Sequence, residues 1–277
     1  MTITPDAPAE TRSIDGVLLT PKEVKIYGQE SLMPSANVAE ERLRRKQKLA
    51  GALRIFGRLG FGEGVAGHIT VRDPEFPDHF WVNPLGLSFR HMRVSDLILV
   101  NHHGEVVYGE YAVNRAAYVL HAAVHTARPD VIAAAHAHSV YGKAFSSLGI
   151  KLDALTQDSC AFYENNVVIS DHGGAVVFEE AAGRDFAEAF GQYRAAIHQN
   201  HGHFTVGASV DEAVFWFVCF ERCAQAQLAA MAAGTPKHIP HDSAVYTREQ
   251  AGNAMTGWAH FQPLWQEICR TDPELFD

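Results

Sequence analysis

Cysteine is scarce in this sequence, and its spacing excludes the common cysteine-based metal sites. The 277 residues include four cysteines, Cys160, Cys219, Cys223 and Cys269, and no Cys-x-x-Cys pair. Zinc ribbons and zinc fingers need such pairs. Cys219 and Cys223 lie four residues apart in a helical pattern, so we expect both to be core thiols on one face of a helix.

The sequence also lacks an excess of positive charge and any long apolar run. Its formal net charge is −9, which argues against nucleic acid or an anionic membrane as a partner. No apolar run reaches the length of a membrane span, and the polar, proline-containing residues 1–10 are unlike a secretory signal. We therefore expect a cytoplasmic protein that binds neither membrane nor nucleic acid.

Histidine, by contrast, is abundant, with sixteen residues, and one pair of histidines organises the chain. Residues 131–139 read VIAAAHAHS, and a run of small and branched apolar residues predicts a buried strand. Alternate side chains of a strand share a face, so His136 and His138 should converge. Two converging imidazoles suit zinc or a transition metal; the alternative is two histidines hydrogen-bonded in a core.

A second strand-like stretch, 197–207, contains a third histidine and favours the metal hypothesis. Three histidines with an open coordination position are typical of catalytic rather than structural zinc. The sequence therefore predicts metal chemistry at the end of a buried strand.

The rest of the pattern predicts a single α/β domain, because strand-like and helical segments alternate along it. Residues 1–35 contain four prolines and no periodicity, so we expect an extended N-terminal arm. The domain itself should span residues 36–235, and residues 236–277 should form a C-terminal tail that packs on the domain or on a neighbouring subunit. Helices are predicted at 40–59, 115–128, 138–148, 179–192 and 209–233, the last opened by a capping box of Ser209 and Glu212.

Five short motifs together resemble the class II aldolase/adducin family, over about residues 40–234. They are GHITVR at 67–72, NPLG at 83–86, ARPD at 127–130, HAHS at 136–139, and NHG at 200–202 followed by VG at 206–207. The resemblance implies a three-layer α/β/α fold with a central, mainly antiparallel sheet. It also implies a homotetramer with active sites at the subunit interfaces.

The resemblance further implies a divalent metal ion held by His136, His138 and His201, usually zinc and sometimes manganese. In the family's enzymes the metal binds vicinal oxygens and stabilises an enediolate.

The chain departs from the sugar-phosphate aldolases of this family in two ways. Those enzymes carry a catalytic glutamate where this chain has Ala117, four residues before His121. They also cradle a phosphate with small polar groups at three turns, which here read Gly67-His68, Leu85-Gly86 and Arg115-Ala116. Leu85 and Ala116 offer no side-chain hydrogen bond, and a phosphate needs several. A sugar phosphate is therefore not the expected substrate, and the chain looks most like the adducin-type branch.

The resemblance also suggests residues with catalytic roles. His121 lies where it can bind substrate, reach the metal, or hold its helix to the sheet. Tyr163 falls in the loop where the aldolases place a proton-donating tyrosine, although an ordinary buried aromatic residue is an equal alternative. His203 is expected to pack or to line the pocket.

Substrate binding is predicted at two of the same turns. His68 and Arg115 can bind a substrate carboxylate, the arginine through a bidentate contact, with surface exposure as the alternative for Arg115. Gly67 and Gly86 would complete the turns beside the substrate.

Three functions remain open at this point. The first is a metal-dependent decarboxylase acting on a hydroxylated or keto acid, which needs no carboxylate base at Ala117. The second is an aldolase for a non-phosphorylated hydroxy-carbonyl compound, with His121 or water as the base. The third is a non-catalytic, adducin-like assembly module, which would have no use for three intact histidines.

Overall fold

The structure is a computed structural model that describes residues 13–15, 17–18 and 24–277. The chain divides into two units, residues 1–32 and 33–277, which are described separately. In the first unit, strand β1 (Ser13–Ile14) pairs antiparallel with β2 (Val17–Leu18). The prediction of an extended arm, 1–35, included no such pairing, and much of that arm lies outside the described residues.

Residues 33–277 form a layered α/β domain. Its helices are α1 (Val38–Arg58), α2 (Arg115–Ala127), α3 (Val140–Ser146), α4 (Glu180–Phe190), α5 (Val210–Ala233), α6 (His241–Ala251) and α7 (Ala254–Thr271). Its strands are β3 (His68–Arg72), β4 (His79–Val82), β5 (Ile98–Asn101), β6 (Val106–Tyr108), β7 (Ala133–Ala137), β8 (Asn166–Ile169), β9 (Ala195–His198) and β10 (Gly202–Gly207). Within the described residues, no helix is both long and apolar enough to cross a membrane.

The eight strands of this unit form one sheet in the order β6-β5-β4-β3-β7-β10-β9-β8. Neighbouring strands are antiparallel except β8 and β9, which are parallel. The expected mainly antiparallel sheet is therefore confirmed, with β7 near its centre.

The alternation of side chains along β7 assigns each helix layer to a face of the sheet. Ala133, Ala135 and Ala137 pack in one core with α1, α5 and α7. Ala134 packs in the other core with α2 and α4, and His136, of the same parity, points to that side. Small alanines let both layers approach closely, which gives the three-layer α/β/α architecture.

The segment predicted as a tail, 236–277, contributes two helices to the second unit. Phe261 and Ile268 of α7 and Leu275 beyond it are buried in the same core as α1 and α5. The aromatic residues of this segment therefore bury apolar surface within one chain.

The structure corrects the expectation that residues 197–207 form a strand-like run. Strand β9 ends at His198, Asn200 has the left-handed φ of 61°, and β10 begins at Gly202. Asparagine tolerates this conformation better than most residues. His201 consequently lies in a tight turn rather than on a strand.

The capping box at the start of α5 forms only in part. Ser209 Oγ accepts a hydrogen bond from the Glu212 amide at 3.1 Å, as expected. The Glu212 carboxylate, however, accepts from the amide of Ala208 at 2.7 Å rather than from Ser209.

Candidate metal centre

His136 lies within β7 and presents one free nitrogen. Its Nδ1 is 2.9 Å from the backbone carbonyl of His203 on β10, and a carbonyl can only accept, so Nδ1 carries the hydrogen. Its Nε2 is buried and has no hydrogen-bond partner among the residues that the structure describes. An unpartnered buried lone pair is costly, and coordination of a cation satisfies it.

His138 and His201 complete the cluster from two turns. His138 is one residue beyond β7 and His201 is in the β9–β10 turn, and their Nε2 atoms are 3.0 Å apart. One ligand atom from each of the three histidines lies within 4.8 Å of the others. The predicted trio therefore converges, although only His136 lies within a strand.

His198, outside the trio, orients His201. The Nδ1 atoms of His198 and His201 are 3.0 Å apart, and His198 Nε2 is 3.3 Å from the carbonyl of Asp171. The carbonyl requires the hydrogen on His198 Nε2, so His198 Nδ1 accepts and His201 Nδ1 donates. His201 Nε2 is then the lone pair directed at the cluster, an arrangement typical of the residues that support metal ligands.

The turn that carries His138 is fixed by a buried carboxylate. Glu221 of α5 accepts hydrogen bonds from Ser139 Oγ at 2.6 Å, the Tyr141 amide at 2.9 Å and the Gly142 amide at 2.6 Å. These are free donors at the start of α3, where a negative charge is favourable. Glu221 thereby holds the chain immediately after the metal-binding pair.

Burial keeps the cluster neutral. It lowers the pKa of His201 to about 3 and the pKa of His136 well below its usual value, with His201 and His138 adding to the effect. For His138 the main cause of the lowered pKa is again burial, followed by the nearby charge of Lys143. Histidine binds metals as the neutral imidazole, so this donor set fits a divalent cation such as zinc.

The three histidines open onto a cavity of about 330 Å³. Among the described residues that line it there is no carboxylate. Its polar lining is His68, Asn114, His121, His136, His138, Lys143, Asn200 and His201, and its apolar lining includes Val65, Leu120, Val176, Val177 and Phe204. The site thus combines a cluster of neutral imidazoles, which can bind a cation, with a largely apolar wall.

Two further predicted residues, and one predicted glycine, lie in this cavity. His68 is buried at the start of β3, opposite His136 in the strand register, and His121 is buried on α2. Gly67 has a φ of 95°, and a Cβ there would come within 3.1 Å of the Ala137 backbone, so this close approach needs glycine. His203, by contrast, stacks on the rings of Phe217 and Phe220 and hydrogen-bonds through Nε2 to the Phe217 carbonyl at 3.2 Å, and it does not line the cavity.

Three predicted residues lie elsewhere in the single chain. Arg115, at the start of α2, is exposed and lines a different cavity between α2 and α4. Gly86 forms a turn with a φ of 90° and does not line the histidine cavity. The hydroxyl of Tyr163 is 3.0 Å from His241 Nδ1, also outside the cavity. Their roles in binding or catalysis stay predictions.

The sequence reasoning missed Lys143, His198 and Glu221. Lys143 lines the cavity beside His138, and its Nζ lies 2.7 and 2.6 Å from the two carboxylate oxygens of Glu63. Lys143 follows the His-x-His pair by little more than one helical turn, and this spacing could have identified it as a cavity residue from the sequence. Glu221 gave none, because 82 residues separate it from Ser139.

Comparison with known proteins agrees with this architecture. Residues 47–228 match the family model of the Class II Aldolase and Adducin N-terminal domain. "Decarboxylase NovR" of Streptomyces niveus is 44% identical over 239 residues, covering 86% of this chain and 88% of the relative. A "4-hydroxy-3-prenylphenylpyruvate oxygenase/4-hydroxy-3-prenylbenzoate synthase" of Streptomyces roseochromogenus subsp. oscitans is 43% identical, covering 86% of each chain.

A solved structure has the same fold. The "L-fuculose 1-phosphate aldolase" of Glaciozyma antarctica PI12 superimposes with a TM-score of 0.82 and 45% identity, over 88% of this chain and 96% of that one. The match of the family model over most of the domain, together with these relatives, shows that the chain belongs to the class II aldolase and adducin family.

Proposed function

We propose that this protein is a metal-dependent carbon–carbon lyase that decarboxylates a hydroxylated or keto carboxylic acid. The observation that carries the proposal is the convergence of three neutral imidazoles, one with an unpartnered buried Nε2, in a cavity whose described lining contains no carboxylate. The name of the relative that is 44% identical, a decarboxylase, supports the same chemistry.

His136, His138 and His201 would hold the ion, zinc for an all-imidazole ligand set or else manganese. When bound, such an ion supplies Lewis-acid polarisation of substrate oxygens and stabilises negative charge. Because the three ligands are neutral, they leave the charge of the cation uncompensated. With an ion bound, this site would attract a carboxylic acid substrate and would favour the negative charge that develops as carbon dioxide leaves.

Lys143 is the cation best placed to bind the substrate carboxylate, since Arg115 faces another cavity. Its side chain is 37% exposed and is held at the cavity wall by Glu63. A surface ion pair of this kind is weak, so a substrate carboxylate can compete for the ammonium group. His68, which lines the same cavity, is a second candidate for this carboxylate.

The apolar wall suits an aromatic or otherwise apolar acid. Leu120, Val177 and Phe204 are on this wall, and Phe204 stacks on His136 with ring centroids 4.0 Å apart. They exclude water from the reacting carbon, which strengthens the electrostatic effect of the site. A hydroxylated aryl acid or aryl 2-oxo acid fits this lining better than a polar sugar phosphate.

We also propose that the protein forms a homotetramer whose neighbouring subunits complete the sites. Val65 and Val176 line the cavity yet are 54% and 69% exposed, and exposed apolar residues at a pocket mouth favour coverage by a partner. Tyr163, which lies outside the cavity of its own chain, would then be available to a neighbouring site. Light scattering should report four chains, and a monomer at working concentration would contradict this arrangement.

Two other activities have a specific observation in their favour. An aldolase reading is favoured by the name of the solved structure that is 45% identical. An oxygen-dependent activity is favoured by the name of the relative that is 43% identical, an oxygenase.

One product analysis distinguishes the three activities. The metal-replete protein is incubated with hydroxylated aryl acids, aryl 2-oxo acids and hydroxy-carbonyl compounds, while carbon dioxide, aldehyde and oxygen are measured. Carbon dioxide release without oxygen uptake supports the proposal, and aldehyde release or oxygen uptake would replace it with the corresponding alternative. A His138→Ala variant should be inactive, whereas His103→Ala, which alters an exposed histidine of the β5–β6 hairpin, should match wild type.

A further inference from the structure

The side chains of His125, Thr70 and His121 form a continuous hydrogen-bonded chain, and His121, its last member, lies in the cavity wall. Thr70 Oγ1 on β3 is 2.9 Å from His121 Nδ1 and 2.8 Å from His125 Nε2. His125 Nδ1 in turn is 3.3 Å from the backbone carbonyl of Val131. All three side chains are at most 4% exposed, so water does not compete for these bonds.

The far end of the chain sets its direction. His125 Nδ1 faces both the Val131 carbonyl and, at 3.5 Å, Nη2 of Arg72. That Nη2 has two hydrogens and closer acceptors, the carbonyls of His125 at 2.6 Å and of Arg128 and Val131 at 3.2 Å each. Its hydrogens are therefore directed at carbonyls rather than at His125 Nδ1. The Val131 carbonyl also accepts from Arg72 Nε at 3.2 Å, and because a carbonyl can only accept, His125 Nδ1 beside it carries a hydrogen and shares this acceptor.

Each later bond follows from the first. Neutral His125 with its hydrogen on Nδ1 has a lone pair on Nε2, which accepts from the Thr70 hydroxyl. The hydroxyl oxygen then accepts from His121 Nδ1, so the hydrogen of His121 is on that nitrogen. His121 Nε2 is left as a bare lone pair; it is buried, has no partner within the described part of the chain, and belongs to a residue that lines the cavity.

We propose that Thr70 and His125 are positioning residues that fix His121 in the Nδ1–H tautomer, so that Nε2 accepts a hydrogen bond from a hydroxyl group of the substrate. The opposite tautomer would present a donor and would favour a carbonyl or carboxylate at this place instead. Burial lowers the pKa of His121 to about 3, which agrees with a neutral acceptor.

The proposal that the ligand is a hydroxylated acid rests on the proposed function, whereas the proposed tautomer of His121 does not. A hydroxyl donor at His121 would place a phenolic or enolic group on the wall formed by α2, next to His68, whose ring centroid is 6.1 Å from that of His121. A hydroxylated acid would then be held at both ends, its carboxylate by cations and its hydroxyl by His121.

The tautomer is measured by nitrogen-15 NMR of the zinc-loaded, histidine-labelled protein. The His121 signals are assigned by their loss in a His121→Gln variant. We expect the His121 Nε2 signal at the shift of an unprotonated ring nitrogen in wild type and in Thr70→Ser, which keeps the hydroxyl. In Thr70→Val, which has the same shape without the hydroxyl, the signal should move toward that of a mixture of tautomers.

Two NMR results would overturn the relay. A protonated Nε2 in wild type means that the chain runs in the opposite direction, and this result does not require Thr70→Val to fold. An unchanged His121 signal in Thr70→Val means that the threonine does not set the tautomer. Both results are independent of whether the protein releases carbon dioxide.

The ligand class is tested with benzoate against its 3-hydroxy and 4-hydroxy derivatives, by calorimetry on the zinc-loaded protein. One hydrogen bond predicts that at least one hydroxylated acid binds about tenfold more tightly than benzoate. The preference should persist in Thr70→Ser and fall in Thr70→Val. Equal affinity of all three acids for wild type would overturn the assignment of a hydroxyl ligand.

Discussion

At the scale of single residues, the candidate site is defined by which nitrogen of each ring is free. His136 donates through Nδ1 to a carbonyl and His201 donates through Nδ1 to His198, so both direct Nε2 at the same point. The fixed tautomers preorganise the ligand set before any ion arrives. The predicted role of each histidine thus depends on its partner rather than on its residue type.

Lys143 gives a prediction at this scale. Replacing it with alanine should raise KM for an acidic substrate about tenfold, because a hydrogen bond to a charged group is lost, and should change kcat less. Lys143→Arg should restore most of the loss. Steady-state kinetics decide the point, with Lys237→Ala as the exposed control; a fall in kcat alone would assign Lys143 to the chemistry instead.

At the scale of elements, the site depends on how β7, α3 and α5 are joined. Ser139 follows His138 directly and is the N-cap of α3. Glu221 from α5 accepts three hydrogen bonds there, from Ser139, Tyr141 and Gly142. Gly142 is needed at this junction, since a Cβ there would lie 2.4 Å from His203 Nδ1. The turn is therefore fixed from two sides.

Glu221→Gln should loosen this turn. In the variant, the amide nitrogen of glutamine replaces one carboxylate oxygen and cannot accept the hydrogen bonds that this oxygen accepts. The loss should lower the free energy of unfolding by about 1–3 kcal/mol. Guanidinium unfolding should show the loss, and zinc affinity should fall with it. The exposed Glu249→Gln provides the control. If affinity and stability were both unchanged, the turn would not need this carboxylate.

The elements that the sequence predicted well are those with a strong local pattern. The apolar run that leads into His136 predicted β7, and the even spacing of His136 and His138 predicted that they converge. The break at Asn200 was missed because one left-handed residue leaves no periodic signal. The contacts of Glu221 and of Thr70 with His125 were missed for another reason: they join residues far apart in the chain, and only the fold brings them together.

At the scale of the whole molecule, buried neutral histidines link stability to pH. Burial lowers the pKa of both His121 and His125 to about 3, below the value of about 6.5 expected in an unfolded chain. As pH falls, the unfolded state therefore takes up protons first. This part of the stability is complete above about pH 6.5 and is lost progressively between there and about pH 3.

The free energy of unfolding should fall by about 2 kcal/mol for each such histidine between pH 7 and pH 5. In a His125→Asn variant the decline should be smaller by one histidine's share, whatever its stability at pH 7. Guanidinium unfolding at several pH values measures the slope, with the exposed His103→Asn as the matched control. Equal slopes in wild type and His125→Asn would mean that the pKa of His125 is the same in the folded protein as in the unfolded chain.

The central claim, that His136, His138 and His201 form one metal centre, is tested most directly by elemental analysis of the purified protein. We predict one divalent ion per chain in wild type and in His102→Ala/His103→Ala, which removes two exposed histidines. The His136→Ala/His138→Ala variant, matched in the number of histidines removed, should contain none. Equal metal in all three proteins, or no metal in wild type after incubation with zinc, would contradict the account.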